Sequence, residues 1–287
     1  MPLDPGSLAA FLTEETGLSF VGRSGFDGER NRYILLEPEG HAGPHGFAIR
    51  VTIRWRRLDI AFEPGTFAGE LLAAMSVADV EGRRLFESVI SECRSQGADV
   101  SFRINGQDSD CRRGAAWPSR WNRLALALGR GPIELGTDNG EHDERIVREW
   151  TARFSAAVVA LLPLERADTG EPDVSGYPEG SLIRIEVNRY ERDRRNRSAA
   201  LAIHGRACKG CGMSFEETYG AIAAGFIEVH HTTPVSQLGP DYQLDVQRDL
   251  IPLCPNCHAV VHRRSPPLSI AELLTVLKHR KAPSDES

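Results

Sequence analysis

Alternating apolar and polar positions predict a sheet in the first half of the chain. Over residues 47–55, one face would carry Phe47, Ile49, Val51, Ile53 and Trp55, the period of a strand with one buried and one solvent-facing side. Residues 33–36, 58–62 and 98–104 predict further strands, and helical spacing predicts helices at 8–15, 67–75, 80–92 and 145–162. We therefore expect an α+β domain built on an antiparallel sheet.

A change in composition then separates this region from the rest of the chain. Residues 167–180 are rich in Gly, Pro, Asp and Glu and have no hydrophobic periodicity, which is typical of a linker. A length of 287 residues also favours two domains. We predict an N-terminal α+β domain at residues 1–165, a linker at 166–180 and a second domain at 181–287.

The hydrophobic runs are too short for a membrane protein. The longest, such as residues 156–163, fall well below the ~18 apolar residues of a membrane span, and the first residues do not resemble a signal peptide. We expect a soluble cytoplasmic protein.

Four of the six cysteines stand in Cys-x-x-Cys pairs, which favours metal binding over disulfides in such a protein.

Charge is distributed unevenly along the chain. The net charge is −6 overall; residues 1–180 contain 20 Arg and Lys against 28 Asp and Glu, a balance of −8, whereas residues 181–287 contain 14 against 12, a balance of +2. An acidic total argues against indiscriminate binding to a polyanion. Any contact with phosphate is therefore expected mainly from the second domain.

The two cysteine pairs predict a structural zinc site. They are Cys208-Lys-Gly-Cys211 and Cys254-Pro-Asn-Cys257, and four thiolates saturate a tetrahedral zinc ion. Gly210 is expected to permit the tight turn that directs the first two sulfurs inward. A zinc ion held in this way would replace a hydrophobic core in a module too small to have one.

Histidines next to these cysteines predict a second metal site. Residues 224–231 have the pattern of a strand, on which His230 and His231 point to opposite faces and so have different roles. His258 and His262 lie four residues apart, which places both rings on one face of a helix in the spacing of a two-histidine metal site. Two imidazoles on one metal ion leave positions open for further ligands, water and phosphate oxygens.

These motifs together resemble those of a known enzyme family. The segment Phe-Ile-Glu-Val-His-His-Thr-Thr-Pro-Val at 226–235, followed by Arg-Asp-Leu-Ile-Pro-Leu-Cys-Pro-Asn-Cys-His-Ala-Val-Val-His at 248–262, resembles the HNH, or ββα-metal, endonucleases. Within them it is similar to the zinc-stapled branch of McrA-like modified-DNA restriction enzymes. The resemblance covers residues 181–280 and implies a C-terminal zinc-stabilised ββα-metal domain.

The resemblance also implies roles for the histidines. His230 would bind the catalytic divalent metal with His258 and His262, and His231 would be the general base, since an imidazole accepts a proton near neutral pH. The family suggests Mg²⁺ as the working ion, although imidazole ligands suit Mn²⁺, Ni²⁺ or Zn²⁺ better. Where the family has its name-giving Asn, this chain has Asp249, a carboxylate that could accept a hydrogen bond from the His231 ring and raise its basicity.

Clustered arginines suggest nucleic-acid contacts, with a structural alternative in each case. A predicted helix at 186–203 could lie along a phosphate backbone, or its arginines could pair with acidic neighbours at helical spacing.

In the first domain, one predicted sheet face could contact phosphate or simply be solvated; its arginines are Arg50, Arg54, Arg56 and Arg57. Trp117 and Trp121 could hold an extruded base or anchor the core on a predicted turn and helix at 118–128. As DNA contacts in the second domain we single out Arg189, Arg192, Arg195 and Arg263.

The resulting hypothesis is a metal-dependent DNA endonuclease of the restriction or phage-defence type, directed to modified or foreign DNA by residues 1–165. One nuclease centre cuts one strand, so cleavage of duplex DNA would suggest a homodimer. Two alternatives remain open from the sequence. One is a non-catalytic zinc module that binds nucleic acid or protein. The other is a nuclease activated by a protein or small molecule through the N-terminal domain.

Overall fold

The computed structural model describes residues 3–39, 42–111, 117–135, 140–163, 194–232, 244–264 and 266–279. The chain divides into two compact units, residues 1–164 and 165–287, and each unit is described by itself. The predicted linker at 166–180 lies outside the described residues. No helix in the described ranges is both long enough and apolar enough to cross a membrane.

The first unit is a sheet of seven strands covered by helices. The strands follow the order β1-β2-β3-β4-β7-β5-β6, and every neighbouring pair is antiparallel, which confirms the predicted α+β class. In chain order its elements are α1 (Pro5–Thr16), β1 (Phe20–Phe26), β2 (Arg32–Pro38), β3 (Phe47–Arg54), β4 (Arg57–Pro64), α2 (Gly69–Ser76), α3 (Val80–Ser95), β5 (Ala98–Ile104), β6 (Gln107–Asp108), β7 (Leu124–Arg130) and α4 (Gly140–Leu161).

Helix α4 forms the centre of this unit's core. It contacts α1, α3 and β4, and its residues from Trp150 to Leu161 are all buried. A helix that is buried on every side needs small and apolar residues around its whole circumference, which the segment Ser-Ala-Ala-Val-Val-Ala-Leu at 155–161 supplies. The helix predicted at 145–162 is thus confirmed and begins five residues earlier.

Strand β3 departs from its predicted pattern at its end. Phe47, Ile49 and Val51 are buried as expected, but Trp55 is 82% exposed because the strand ends at Arg54. Trp55 lies instead in the turn to β4, where the next residue, Arg56, has a φ of 55°. The prediction that Trp55 belongs to the buried face was wrong, since alternation cannot show where a strand stops.

Three of the four arginines predicted on the β3 and β4 face have acidic partners, and the fourth, Arg56, lies in the turn between the two strands. Arg50 Nε lies 2.5 Å from Glu63 Oε1, and its guanidinium carbon is 4.0 Å from the centre of the Tyr33 ring. Arg54 and Arg57 both lie beside Asp59, at 3.4 and 2.8 Å. This face therefore fits the solvated alternative better than a phosphate-contacting strand.

Residues 118–128 do not form the predicted turn and helix. Residues 124–130 are strand β7, which hydrogen-bonds to β4 on one side and β5 on the other. The run Leu-Ala-Leu-Ala-Leu at 124–128 favours helix by residue type, but its leucines alternate with alanines and all three leucines are buried. The period of two was therefore the better guide to this segment.

Trp121 anchors the core beside this strand. It is 1% exposed, its indole N–H donates to Pro118 O at 3.0 Å, and its ring meets those of Phe102 and Trp117 edge-on, at centroid distances of 6.1 and 5.8 Å. These contacts favour the core-anchoring alternative for the tryptophan pair.

The two tryptophans Trp121 and Trp55 make a matched test of this packing. Trp121→Ala leaves a large cavity and should lower the free energy of unfolding of the first unit by about 3–5 kcal/mol. Trp55→Ala should change it by no more than about 0.5 kcal/mol because the side chain is exposed. Urea denaturation of the full chain followed by circular dichroism measures both, and equal midpoints for the two variants would contradict the assigned core.

The second unit is built from short elements. They are α5 (Arg194–His204), α6 (Phe215–Tyr219), a 3-10 turn at Ala221–Ala223, β8 (Glu228–His231), α7 (Val246–Asp249), β9 (Leu250–Leu253), α8 (Pro255–Val261) and α9 (Ile270–His279). Strands β8 and β9 pair antiparallel and α8 follows directly, so the predicted ββα arrangement is confirmed. Helix α9 starts with a capping box in which the Ser269 and Glu272 side chains each accept a backbone N–H from the other residue.

Candidate metal centres

The four cysteines of the two Cys-x-x-Cys pairs converge on one point. Their sulfurs all lie within 4.8 Å of one another, and the Sγ atoms of Cys211 and Cys254 are 3.7 Å apart. Four sulfurs placed at ~2.3 Å from a tetrahedral zinc ion are separated by about 3.8 Å. The cluster therefore has both the donor set and the spacing of a structural zinc site.

Helix α8 begins at one of these cysteines. Cys254 is its N-cap, with Sγ accepting the backbone N–H of Cys257 at 3.4 Å, and Pro255 occupies the first turn, where it needs no hydrogen-bond partner. Because the same sulfur caps the helix and belongs to the cluster, a zinc ion bound there would fix where α8 starts.

The glycines of the first knuckle, the turn at residues 208–212 that carries the first cysteine pair, have roles that differ from the prediction. The left-handed conformation belongs to Gly212, with a φ of 79°, and not to Gly210. A Cβ atom at Gly210 would lie 2.8 Å from Leu273 Cδ2 and 3.1 Å from Cys257 Sγ. Gly210 is therefore needed for the close approach of α9 and the second cysteine pair, and Gly212 makes the turn.

Three histidines form a second cluster, which brings together the ring that the resemblance implies, His230, and the pair four residues apart, His258 and His262. Nitrogens of His230, His258 and His262 lie within 4.8 Å of one another, and the Nε2 atoms of His258 and His262 are 3.2 Å apart. Two nitrogens at ~2.1 Å from one metal ion are separated by about 3.0–3.4 Å. Nδ1 of His230 is buried without a hydrogen-bond partner among the described residues, which fits a ring reserved for a metal ion.

Glu228 holds one of these rings, and our sequence analysis did not single it out. Its Oε2 lies 2.5 Å from His258 Nδ1, so the opposite nitrogen of that ring faces the cluster. A carboxylate behind a metal-binding imidazole fixes the ring and increases its basicity. The signal was present in the sequence: Glu228 lies two residues before His230, and strand alternation puts both on the same face.

Burial keeps the His230 imidazole neutral. Desolvation, followed by the neighbouring rings of His258, His262 and His231, lowers the pKa of His230 to about 3. Burial and His258 also lower the pKa of His262, against the opposing effect of Glu228. A neutral imidazole has the lone pair that a metal ion requires, so the His230 and His262 rings are suited to metal binding at neutral pH.

Asp249 occupies the position where the resembled family has Asn. It is 9% exposed, its Oδ2 accepts the backbone N–H of Asp245 at 2.7 Å, and its carbonyl accepts the N–H of Thr232 at 2.9 Å. Asp249 thus braces the turn into β9 directly beside His231, which pairs with Leu250. His231 is half-buried and lies on the face of β8 opposite to His230. A hydrogen bond from its ring to Asp249 stays a prediction.

The arginines predicted to contact DNA have different environments. Arg195 lies on α5 and is 7% exposed, so little of its guanidinium can reach a phosphate group. Its neighbour Arg197 donates to the carbonyls of Ile227 and Gly225 at 2.7 and 2.9 Å and thereby holds the entry to β8. Arg263 is exposed just after α8, and Arg189 and Arg192 lie outside the described residues.

A cleft opens beside the histidine cluster. Its volume is about 570 Å³, and two exposed cations line it, Lys209 from the first knuckle and Arg248 from α7. Within the described part of the chain, neither cation has an ion pair with an acidic side chain. A third, Arg264, is bound to Glu272 at 2.7 Å. His230 and Thr232 border the same cleft, so free positive charge lies next to the predicted metal site.

Glu228 offers a test of the histidine cluster. Glu228→Gln keeps the shape of the side chain but removes its charge, and it should weaken Mn²⁺ binding about 10–100-fold while the tightly held zinc is retained. Isothermal titration calorimetry with Mn²⁺ measures the affinity, and Glu216→Gln, on α6, is the matched control. Unchanged Mn²⁺ affinity in Glu228→Gln would contradict the role given to this carboxylate.

Comparison with known proteins agrees with this geometry. Residues 208–264 match the family model "HNH endonuclease". The chain is 32% identical over 103 residues to the type IV methyl-directed restriction enzyme EcoKMcrA of Escherichia coli (strain K12), an alignment that covers 34% of this chain and 35% of that enzyme. The chain thus spans about a third of the length of the curated relative it matches. No solved structure matches significantly. The second unit therefore carries an HNH domain of the McrA-like kind, with one cysteine cluster and one histidine cluster.

Proposed function

We propose that this protein is a metal-dependent DNA endonuclease. One observation carries the proposal: His230, His258 and His262 converge on a single point that is separate from a complete set of four zinc ligands. A zinc module that served only structure would need no second cluster of imidazoles. The non-catalytic alternative is therefore less well supported, and the tests below include it as an outcome.

The residues of the site have distinct roles in this proposal. His231, on the opposite face of β8 from the metal-binding ring, accepts a proton from the attacking water. His230, His258 and His262 hold a divalent ion, Mg²⁺ or one that imidazole prefers such as Mn²⁺ or Ni²⁺, which when bound stabilises negative charge on the scissile phosphate and on the leaving oxygen. Glu228 orients His258, and Asp249 supports the turn beside His231.

Lys209 and Arg248 would bind the DNA backbone on either side of the scissile bond. Both line the cleft next to His230 and neither is committed to an acidic partner within the described residues, which leaves their charge available for phosphate. Contacts of this kind position a strand without reading its sequence. Of the four arginines that the sequence analysis singled out in the second domain, Arg263 alone is both described and exposed, and it does not line the cleft.

The N-terminal unit would direct this activity to modified or foreign DNA, as in a restriction or phage-defence enzyme. Support comes from the relative, which is described as a methyl-directed restriction enzyme, and from the separation of the chain into two units. Cleavage of both strands would require two centres and hence a homodimer, with the protein acting in the cytoplasm.

His231→Ala tests the proposed chemistry. The variant should lose cleavage by at least about 100-fold, the usual contribution of a general base, and keep its zinc and its fold. Wild type, His231→Ala and the control His45→Ala, in the other unit, are incubated with Mn²⁺ or Mg²⁺ and plasmids prepared with and without cytosine methylation. Retained cleavage by His231→Ala would show that His231 is not the general base. If neither wild type nor the control cleaves any plasmid, the non-catalytic alternative is favoured. Equal cleavage of methylated and unmethylated plasmids by the wild type would contradict a domain that reads DNA modification.

Lys209→Ala and Arg248→Ala test the cleft. Each should weaken DNA binding at all sequences and reduce the slope of log Kd against log salt by about 0.9, the value for one lost phosphate contact. Arg263→Ala is the matched control because it removes an exposed guanidinium near α8 but outside the cleft. Fluorescence anisotropy with a labelled duplex at several salt concentrations gives these slopes. Equal slopes for all three variants would show that the cleft does not bind the backbone.

A further inference from the structure

Two turns lie side by side at one end of the first unit's sheet. They join β1 to β2 and β3 to β4, and we call residues 26–31 and 54–57 the turn end. Strands β2 and β3 are paired there, with Arg32 opposite Ile53, and Arg54 Nη1 lies 3.9 Å from Glu29 Oε2 across the two turns. The turn end is therefore one continuous surface.

Two large aromatic side chains project from this surface. Trp55 is 82% exposed and Phe26 is 72% exposed. By contrast, Trp121 and Trp150 in the same unit are 1% and 6% exposed. Single exposed hydrophobic residues are common, but two exposed aromatics at the same end of one sheet, in two neighbouring hairpins, are characteristic of contact surfaces.

The acidic groups of the turn end are already engaged. Asp59 lies beside Arg54 and Arg57, Glu29 lies beside Arg54, and the Asp27 carboxylate accepts hydrogen bonds from Asn31 and from the backbone of its own turn. These pairs occupy two of the local guanidinium groups, Arg54 and Arg57, while Asp27 keeps its negative charge. With Arg30 and Arg56, the four arginines here exceed the three carboxylates by one positive charge.

Arg30 and Arg56 keep their charge available. Both are exposed, and neither has an ion pair with an acidic residue in the described ranges. Arg56 lies next to the Trp55 ring, with its guanidinium carbon 5.8 Å from the ring centre. Both arginines have positive φ, 64° and 55°, a conformation that disfavours a long side chain relative to Gly or Asn. Such strained positions are found preferentially at binding and switch sites.

We propose that the turn end is a duplex-DNA-binding surface of the N-terminal unit. Arg30 and Arg56 contact phosphates on either side of the exposed aromatics, and Trp55 packs against sugar and base at a groove edge or inserts at a base step. Duplex DNA is the partner that combines a polyanionic backbone with stackable rings. Residues 1–180 carry a balance of −8, so this contact is local and does not depend on the charge of the whole unit.

This inference rests on the proposed action on DNA and assigns the reading surface. It differs from the strand-face hypothesis of the sequence, because Arg50, Arg54 and Arg57 have acidic partners. Of the arginines at 26–31 and 54–57, Arg30 and Arg56 have no acidic partner within the described residues. It also differs from the cleft of the second unit, which would hold the strand that is cut.

DNA binding by the full-length chain tests the assignment without cleavage. In a His231→Ala background, fluorescence anisotropy with a labelled 20-base-pair duplex is measured for Trp55→Ala, Trp55→Phe and the double variant Arg30→Ala/Arg56→Ala. Phe67→Ala and Arg120→Ala are the controls, since they remove an exposed aromatic and an exposed guanidinium from the opposite end of the sheet. Circular dichroism confirms that each variant is folded.

Trp55→Ala should weaken binding about tenfold, and Trp55→Phe should weaken it less, because stacking on a ring is partly retained. The double arginine variant should reduce the slope of log Kd against log salt by about 1.8, the value for two lost phosphate contacts. Both controls should bind DNA as the parent protein, His231→Ala, does. If all turn-end variants bind like the parent, the surface is wrong and the nuclease proposal stands. If the parent binds no DNA and the wild type cleaves none, both proposals fail.

Discussion

The four-cysteine cluster is the constraint on which the second unit depends. Strands β8 and β9 have four residues each and α8 has seven, too few to form a core that is stable without help. A zinc ion at the cluster would join the knuckle at 208–211 to the start of α8 and, through Gly210, would bring Leu273 of α9 against both cysteine pairs. Order in the histidine cluster follows from order in the cysteine cluster, because α8 carries members of both.

In this arrangement the cysteines that stabilise the fold and the histidines proposed to bind the catalytic metal are close neighbours in sequence. Cys254 is the N-cap of α8 and Cys257 lies in its first turn, while His258 lies on the helix and His262 is its C-cap. A zinc ion that held the helix start would therefore also fix the direction of two imidazoles. Strand β8 adds His230 and, two residues earlier, the Glu228 carboxylate that orients His258. Because adjacent strand positions face opposite ways, His231 is kept out of the metal cluster, and our proposal gives it the separate role of general base.

The sequence predicted these clusters because metal ligands come in fixed spacings that depend little on the rest of the fold. Cys-x-x-Cys pairs and histidines four residues apart specify their own local geometry. Other features depended on neighbours that the sequence does not reveal. Strand β7 has residues that favour helix and is a strand because β4 and β5 pair with it. Trp55 continues an alternating pattern but lies beyond the end of its strand. Lys209 and Arg248 come together in one cleft only through the fold.

The central claim is that one domain holds two different cations, one bound by thiolates and one by imidazoles. The most direct measurement is a crystal of the zinc-containing protein soaked in Mn²⁺, with anomalous diffraction recorded at the zinc and manganese edges. The account predicts a zinc peak among Cys208, Cys211, Cys254 and Cys257 and a separate manganese peak bonded to nitrogens of His230, His258 and His262. A single ion, or imidazoles too far apart to share one atom, would contradict it.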